Sequence, residues 1–143
     1  MAPPLLAIVD YDEAFREMLD AIFTQEGYRT LLLVQSAGAH EAIRQAQPDL
    51  VLLDLWLERR DAGWELVEQL CDDPATRDIP IIVCSADSQT VKTQAARMQE
   101  LGCSVVAKPF DLDELLAAAR QALRRREARH LEEERPAQRA ASA

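Results

Sequence analysis

The sequence predicts an α/β protein, one parallel sheet with helices on both faces. Three observations carry this. Short, wholly apolar runs recur along the chain, longer segments with apolar residues three and four apart lie between them, and Gly or Pro punctuates their ends. Wholly apolar runs suit strands buried on both faces, and the three-and-four spacing suits helices that bury one face. Five such strand–helix units in succession imply a parallel sheet, and right-handed crossovers leave few topologies, of which 2-1-3-4-5 is the natural candidate.

The first strand is expected at 5–9 and the first helix at 12–26, with Phe15, Met18, Leu19, Ile22 and Phe23 inward and Gly27 as its stop. A second strand is expected at 29–34. Ser36 is expected to cap a helix that runs to 47 and ends at Pro48. The third strand, 50–53, runs straight into Asp54. A charged loop leads to a helix at 63–71, closed by Asp72-Asp73-Pro74. The fourth strand is expected at 79–84, with Pro80 near its start, and a more polar helix at 87–101, closed by Gly102. A strand at 104–107, the turn Lys108-Pro109-Phe110 and a helix capped by Asp111 complete the pattern, with Leu112, Leu115, Leu116, Ala119 and Leu123 inward.

Composition narrows the function classes. The 143 residues suit one domain, and the formal charge of -9 sets the chain against nucleic acid unless its charge is locally sorted. No apolar run approaches the roughly 18 residues of a membrane span, and the start does not read as a signal peptide, so a cytoplasmic location is expected. Cys71, Cys84 and Cys103 show neither a disulfide framework nor metal-ligand spacing and are read as free thiols. There is no GxGxxG or P-loop run, which argues against a flavin or nucleotide enzyme. Residues 1–123 are expected to form the folded domain. Residues 124–143, charged and then rich in Ala and Ser, are expected to add a turn or two to the last helix and then fray into a disordered tail. About 20 residues are too few for a DNA-reading output domain, so none is expected.

In a parallel α/β sheet, ligands bind beyond the carboxyl ends of the strands. Those ends read Asp10-Tyr11-Asp12, Asp54, Ser85-Ala86 and Lys108-Pro109. Clustered carboxylates suit a hard divalent cation such as Mg²⁺. A cation and a lysine can neutralise an incoming phosphoryl group, and a carboxylate between them can accept it as an aspartyl phosphate. The chain has only two lysines, Lys92 and Lys108, and otherwise uses arginine, which singles out the one at a strand end.

With LVLLD, IIVCSAD and VVAKPF, these strand ends closely resemble the receiver domains of bacterial two-component response regulators, over residues 5–123. The resemblance implies a flavodoxin-like (βα)5 doubly wound fold and a phosphorelay function in the cytoplasm. It makes Asp54 the phosphoacceptor, Lys108 a phosphoryl contact with a cis peptide before Pro109, and Ser85 the switching hydroxyl. Asp10, Asp54 and the backbone carbonyl of Trp56 become Mg²⁺ ligands, with Asp12 a further candidate. The implied donor is a histidine kinase or phosphotransfer protein. Output would pass to a downstream protein, without direct DNA or membrane binding. A homodimer through helix 4, strand 5 and helix 5 is a further expectation. The protein would be no enzyme beyond its own phosphorylation and dephosphorylation.

The sequence departs from the family pattern in three places. Tyr11 replaces the second acidic residue and is expected to weaken Mg²⁺ binding. After Asp54, Glu58 stands at the usual proline and Gly63 comes one residue late. Val105 falls where the family often carries a rotating aromatic. The alternative reading is therefore a pseudo-receiver, a phosphorylation-independent interaction module. His40 and His130 are expected to be solvated, Trp64 to pack on the third helix, and Cys84 to lie in the core.

Overall fold

The computed structural model describes residues 3–86, 88–108 and 111–142, the side chains of 88, 90, 91 and 133–142 excepted. The expectations for Asp87, Pro109 and Phe110, the cis peptide included, lie outside these residues. Strands β1 (Leu5–Val9), β2 (Arg29–Leu33), β3 (Leu50–Asp54), β4 (Ile81–Ser85) and β5 (Ser104–Ala107) alternate with helices α1 (Glu13–Gln25), α2 (Ala39–Ala46), α3 (Ala62–Asp72), α4 (Ser88–Glu100) and α5 (Leu112–Ser142). The sheet order is β2-β1-β3-β4-β5, and every neighbouring pair is parallel. This is the flavodoxin-like arrangement.

The apolar runs alternate their side chains between two cores, as a pleated strand must. Ala7, Val9, Val51, Leu53, Ile81 and Val83 pack with Ile43 of α2, Leu66 and Leu70 of α3 and Met98 of α4. Leu6, Ile8, Leu50, Leu52, Ile82 and Cys84 pack with Leu19 and Phe23 of α1 and Leu115 and Ala119 of α5. Burying both faces of the three central strands places their carboxyl ends at one rim, where α1, α3 and the connecting loops surround them.

Four features differ from expectation, each for a physical reason. Ser36 does not cap α2. Its N-cap is Gly38, which has φ of 78° and no side-chain cap, while the Ser36 backbone N–H and hydroxyl both donate to the Glu58 carboxylate. The fourth strand begins after Pro80, not at Ile79. Ile79 N–H closes a turn on the Thr76 carbonyl, and the strand runs on to Ser85. His40 is not merely solvated, since its Nε2 lies 2.8 Å from Asp73 Oδ2 and ties α2 to the end of α3. Helix α5 runs to Ser142 instead of fraying soon after Leu123. Arg126 anchors it there, donating to the Pro48 carbonyl at 3.0 Å and to Asp49 at 3.2 Å. The Arg, Glu, Ala and Leu beyond it have high helix propensity. Cys84 is buried and Trp64 packs against the α3 side of the core, as expected.

Candidate functional site

The site is assembled by strands that end at the same level. β1 ends at Val9, so Asp10 follows at the rim, where it is only 3% exposed. Its Oδ1 accepts the Asp12 N–H at 2.9 Å, and its backbone carbonyl accepts from Arg16 at 2.9 Å. These contacts fix the turn from β1 into α1. Asp12 itself serves the helix as N-cap, its Oδ1 accepting the Phe15 N–H at 3.1 Å. Tyr11 is 56% exposed, so its ring stands largely in solvent and does not plug the rim.

Asp54 is the last residue of β3 and pairs with Cys84 of β4. Its Oδ1 accepts the Trp56 N–H at 2.9 Å, which orients the carboxylate. Its Oδ2 lies 2.7 Å from Lys108 Nζ, and the same ammonium lies 3.6 Å from Asp10 Oδ2. Lys108 follows β5 directly, and its N–H donates to the Ser85 carbonyl at 2.9 Å. Its ammonium also sits 4.1 Å from the centre of the Phe15 ring, a cation–π contact. Ser85, buried at the end of β4, is thereby joined to Lys108 through the backbone. Asp10, Asp54 and Lys108 are therefore brought together by side chains and Ser85 by its carbonyl, while Asp12 turns its Oδ1 to α1.

The charges are coupled. Burial pushes the Asp10 carboxyl above its ordinary value of 3.8, and the Asp54 charge adds to this. The Asp12 N–H and the Lys108 ammonium offset only part of the rise. Burial works against the Lys108 charge. The hydrogen bond to Asp54 and the charges of Asp54 and Asp10 outweigh it, and the ammonium is held above its ordinary value. Burial drives the neighbouring Cys84 thiol up to about 12, which leaves it protonated and unreactive.

Asp10 carries a pH signature. The folded chain keeps its proton to higher pH than the unfolded chain, so this group's contribution to stability falls as pH rises. The window opens at the ordinary value of 3.8 and closes above the raised folded value. The Tm of the wild type, measured relative to Asp10→Asn, is therefore expected to fall as pH rises from the ordinary value of 3.8 through the raised folded value. A difference that stays level or grows across that range contradicts the desolvated carboxylate.

The loop after Asp54 holds the features that the sequence reading left open. Leu55 and Leu57 are buried, and Glu58 reaches back to Ser36, pinning this loop to the one between β2 and α2. Arg59 pairs with Glu65 at 2.8 Å, and Arg60 lies over the Trp56 ring at 5.6 Å. Gly63 lies against β3. A Cβ on it would fall 2.4 Å from the Asp54 carbonyl oxygen and 2.5 Å from Leu55 Cα. The displaced glycine is thus a packing requirement at the root of Asp54.

The donor set suits a hard divalent cation. Two carboxylates and backbone oxygen are oxygen donors, and Asp10 is held at the rim with its charge only partly offset by Lys108. Among the described residues no group of three His, Cys, Asp or Glu side chains converges, so such an ion would rest on two carboxylates.

The parallel sheet in this order, with two carboxylates and a lysine at its carboxyl rim, defines the class of the receiver domains. Comparison with known proteins agrees. The chain matches the family model of the response regulator receiver domain over residues 6–120. It belongs to that family and is a receiver domain of two-component signalling. It is 31% identical over 122 residues to the "DNA-binding dual master transcriptional regulator RpaA" of Synechocystis, covering 85% of this chain and 50% of that protein. To the "Phosphate regulon transcriptional regulatory protein PhoB" of Pseudomonas aeruginosa it is 34% identical over 126 residues, covering 87% and 54%. The chain thus spans about half the length of the curated relatives it matches. A CheY-like receiver domain protein from Methanospirillum hungatei superposes with a TM-score of 0.79 at 20% identity, covering 89% of this chain and 98% of that one, and supports the fold. The N-terminal domain of a response regulator receiver protein from Methanoculleus marisnigri gives 0.66 at 30% identity, covering 82% and 94%. Among the described residues no helix is long and apolar enough to cross a membrane.

Proposed function

We propose that this chain is a phosphorylation-controlled switch whose acceptor is Asp54. The observation that carries the reading is the position of Lys108 Nζ, 2.7 Å from Asp54 and 3.6 Å from Asp10. One ammonium serving two carboxylates leaves the site one negative charge in excess, a setting suited to a divalent cation and then to an anionic phosphoryl group.

Receiver domains act with histidine kinases or phosphotransfer proteins, and a phosphohistidine of either is the proposed donor. An Asp54 carboxylate oxygen attacks phosphorus, the N–P bond breaks, and the imidazole leaves with the electron pair. The Trp56 N–H keeps Oδ1 in place during attack. Lys108 gives up its carboxylate contact for the incoming phosphoryl oxygens, and Ser85, at the end of the adjacent strand, is the proposed hydroxyl partner. Asp10, Asp54 and the Trp56 carbonyl would hold Mg²⁺, which supplies positive charge opposite the transferring phosphoryl oxygens. Redirecting Lys108 moves the end of β5, and the proposed output is a shift of α4 and β5 read by a partner protein in the cytoplasm. The formal charge of -9 favours a protein partner over direct DNA contact. The proposed chemistry is confined to the chain's own phosphorylation and dephosphorylation.

Tyr11 favours a second reading, a phosphate-independent pseudo-receiver, because it leaves the metal two carboxylates. One titration separates the two. Trp56 is 48% exposed and bonded through its backbone to Asp54, so it reports on the site. Mg²⁺ is expected to change its fluorescence saturably in the millimolar range, and Asp54→Ala to abolish the change. No saturable change in the wild type would favour the pseudo-receiver.

A further inference from the structure

At the opposite rim of the sheet lies a cleft of about 210 Å³ lined by both Cys71 and Cys103. Cys71 is in the last turn of α3, and Cys103 lies between α4 and β5. Both are partly exposed. Cys71 Sγ is 4.0 Å from the Leu101 carbonyl, two residues before Cys103. Cys103 is itself held in place, its N–H donating to the Met98 carbonyl at 2.9 Å in the turn that ends α4. The two side chains pack against the same edge of the core and line the same cleft.

The same cleft is lined by Arg77, Arg125, Arg126 and Arg129, with Asp78 the one acid among its described lining residues. Arg126 is committed to Pro48 and Asp49. Arg125 and Arg129 stand one turn apart on α5, a like-charge spacing that is unfavourable unless an anion is near. A chain with a net charge of -9 thus concentrates positive charge beside its two neighbouring thiols.

We propose that Cys71 and Cys103 form a redox modification site, a dithiol that closes to an intramolecular disulfide by exchange with a small anionic disulfide. The Cys71 thiolate attacks one sulfur of the small disulfide, whose S–S bond breaks and releases one thiolate. The Cys103 thiolate then attacks the mixed disulfide at Cys71 and releases the second. The two cysteines lose two electrons, the small disulfide gains them, and the two cysteine protons pass to the released thiolates. Cys71 is suited to the first step because the neighbouring Cys103 thiol lowers its pKa. The new bond ties the last turn of α3 to the root of β5, the strand that carries Lys108 at its other end.

The test uses the full chain with glutathione disulfide as the anionic probe and cystamine as a cationic one. With glutathione disulfide, two of the three thiols are expected to disappear. The mass falls by about 2 Da, and peptide mapping places the link between Cys71 and Cys103. Cys84, buried and unreactive, stays reduced and serves as the internal control. Cys103→Ser is expected to stop at a glutathione adduct on Cys71. The double variant Arg125→Gln, Arg129→Gln should slow the glutathione reaction by about 3- to 10-fold and spare the cystamine reaction. Retention of all three thiols, a link involving Cys84, or dimers in place of the internal bond would overturn the site. Equal slowing with both probes would overturn the preference for an anion.

Discussion

Asp54→Asn is expected to lose phosphoryl labelling by acetyl phosphate, a fall of roughly 100-fold or more, because Asp54 is the carboxylate that Lys108 contacts at 2.7 Å. The substitution is a sharp one. Asparagine keeps an oxygen for the Trp56 N–H that now bonds Oδ1 at 2.9 Å, so the turn after β3 has its local support. What disappears is the negative oxygen that Lys108 contacts at 2.7 Å. Lys108 retains Asp10 at 3.6 Å, so its charge stays paired. Intact-mass measurement with Mg²⁺ and acetyl phosphate reads the result, with a thermal melt to show that the variant is folded. Persistent labelling of the variant at the wild-type level would move the acceptor elsewhere.

Gly63→Ala is expected to cost about 3 kcal/mol or more, the second large effect. The three atoms nearest the added carbon would all be backbone, at 2.4 Å for the Asp54 carbonyl oxygen and 2.5 Å for both Cα and carbonyl oxygen of Leu55. Backbone of a central strand has little room to yield, since β3 is paired on both edges, to β1 and β4. Either α3 retreats from the sheet, opening the core around Leu66 and Leu70, or the end of β3 shifts and carries Asp54 with it. The Gly63 N–H bond to the Leu55 carbonyl at 3.1 Å is lost in both cases. Urea denaturation measures the cost, and a loss below about 1 kcal/mol would show that the close approach is easily relaxed.

Much of the fold is legible in the sequence because its strands are buried on both sides. LLAIV, LVLL and IIVC are apolar throughout, a pattern that few other structures tolerate. Three of the misplaced features share one cause, a partner distant in sequence. Ser36 has the chemistry of a cap, but Glu58, 22 residues on, takes its N–H and hydroxyl. His40 has an ordinary helical setting, and only the fold brings Asp73 to it. Helix α5 outlasts its apolar stripe because Arg126 finds Pro48 and Asp49 across 78 and 77 residues.

The candidate site divides in the same way. Asp10, Asp54, Ser85 and Lys108 stand out because strand ends can be read from apolar runs, and the ends converge in any parallel sheet. The sharing of Lys108 between two carboxylates is not readable from spacing, nor is the use of Asp12 as a helix cap in preference to the rim. Gly63 was visible as an irregularity of spacing, and its close approach to β3 supplies the reason. The proximity of Cys71 and Cys103, 32 positions apart in the chain, depends on how α3 packs beside the α4–β5 junction.

The central claim is that the carboxylate facing Lys108 receives the phosphoryl group, and one chemical mapping addresses it. The wild-type chain is treated with acetyl phosphate and Mg²⁺, reduced with borohydride, digested and sequenced by mass. Reduction of an aspartyl phosphate yields homoserine, and the account predicts homoserine at position 54 and no other. Homoserine at a different aspartate, or a labelled chain that yields none, would contradict it.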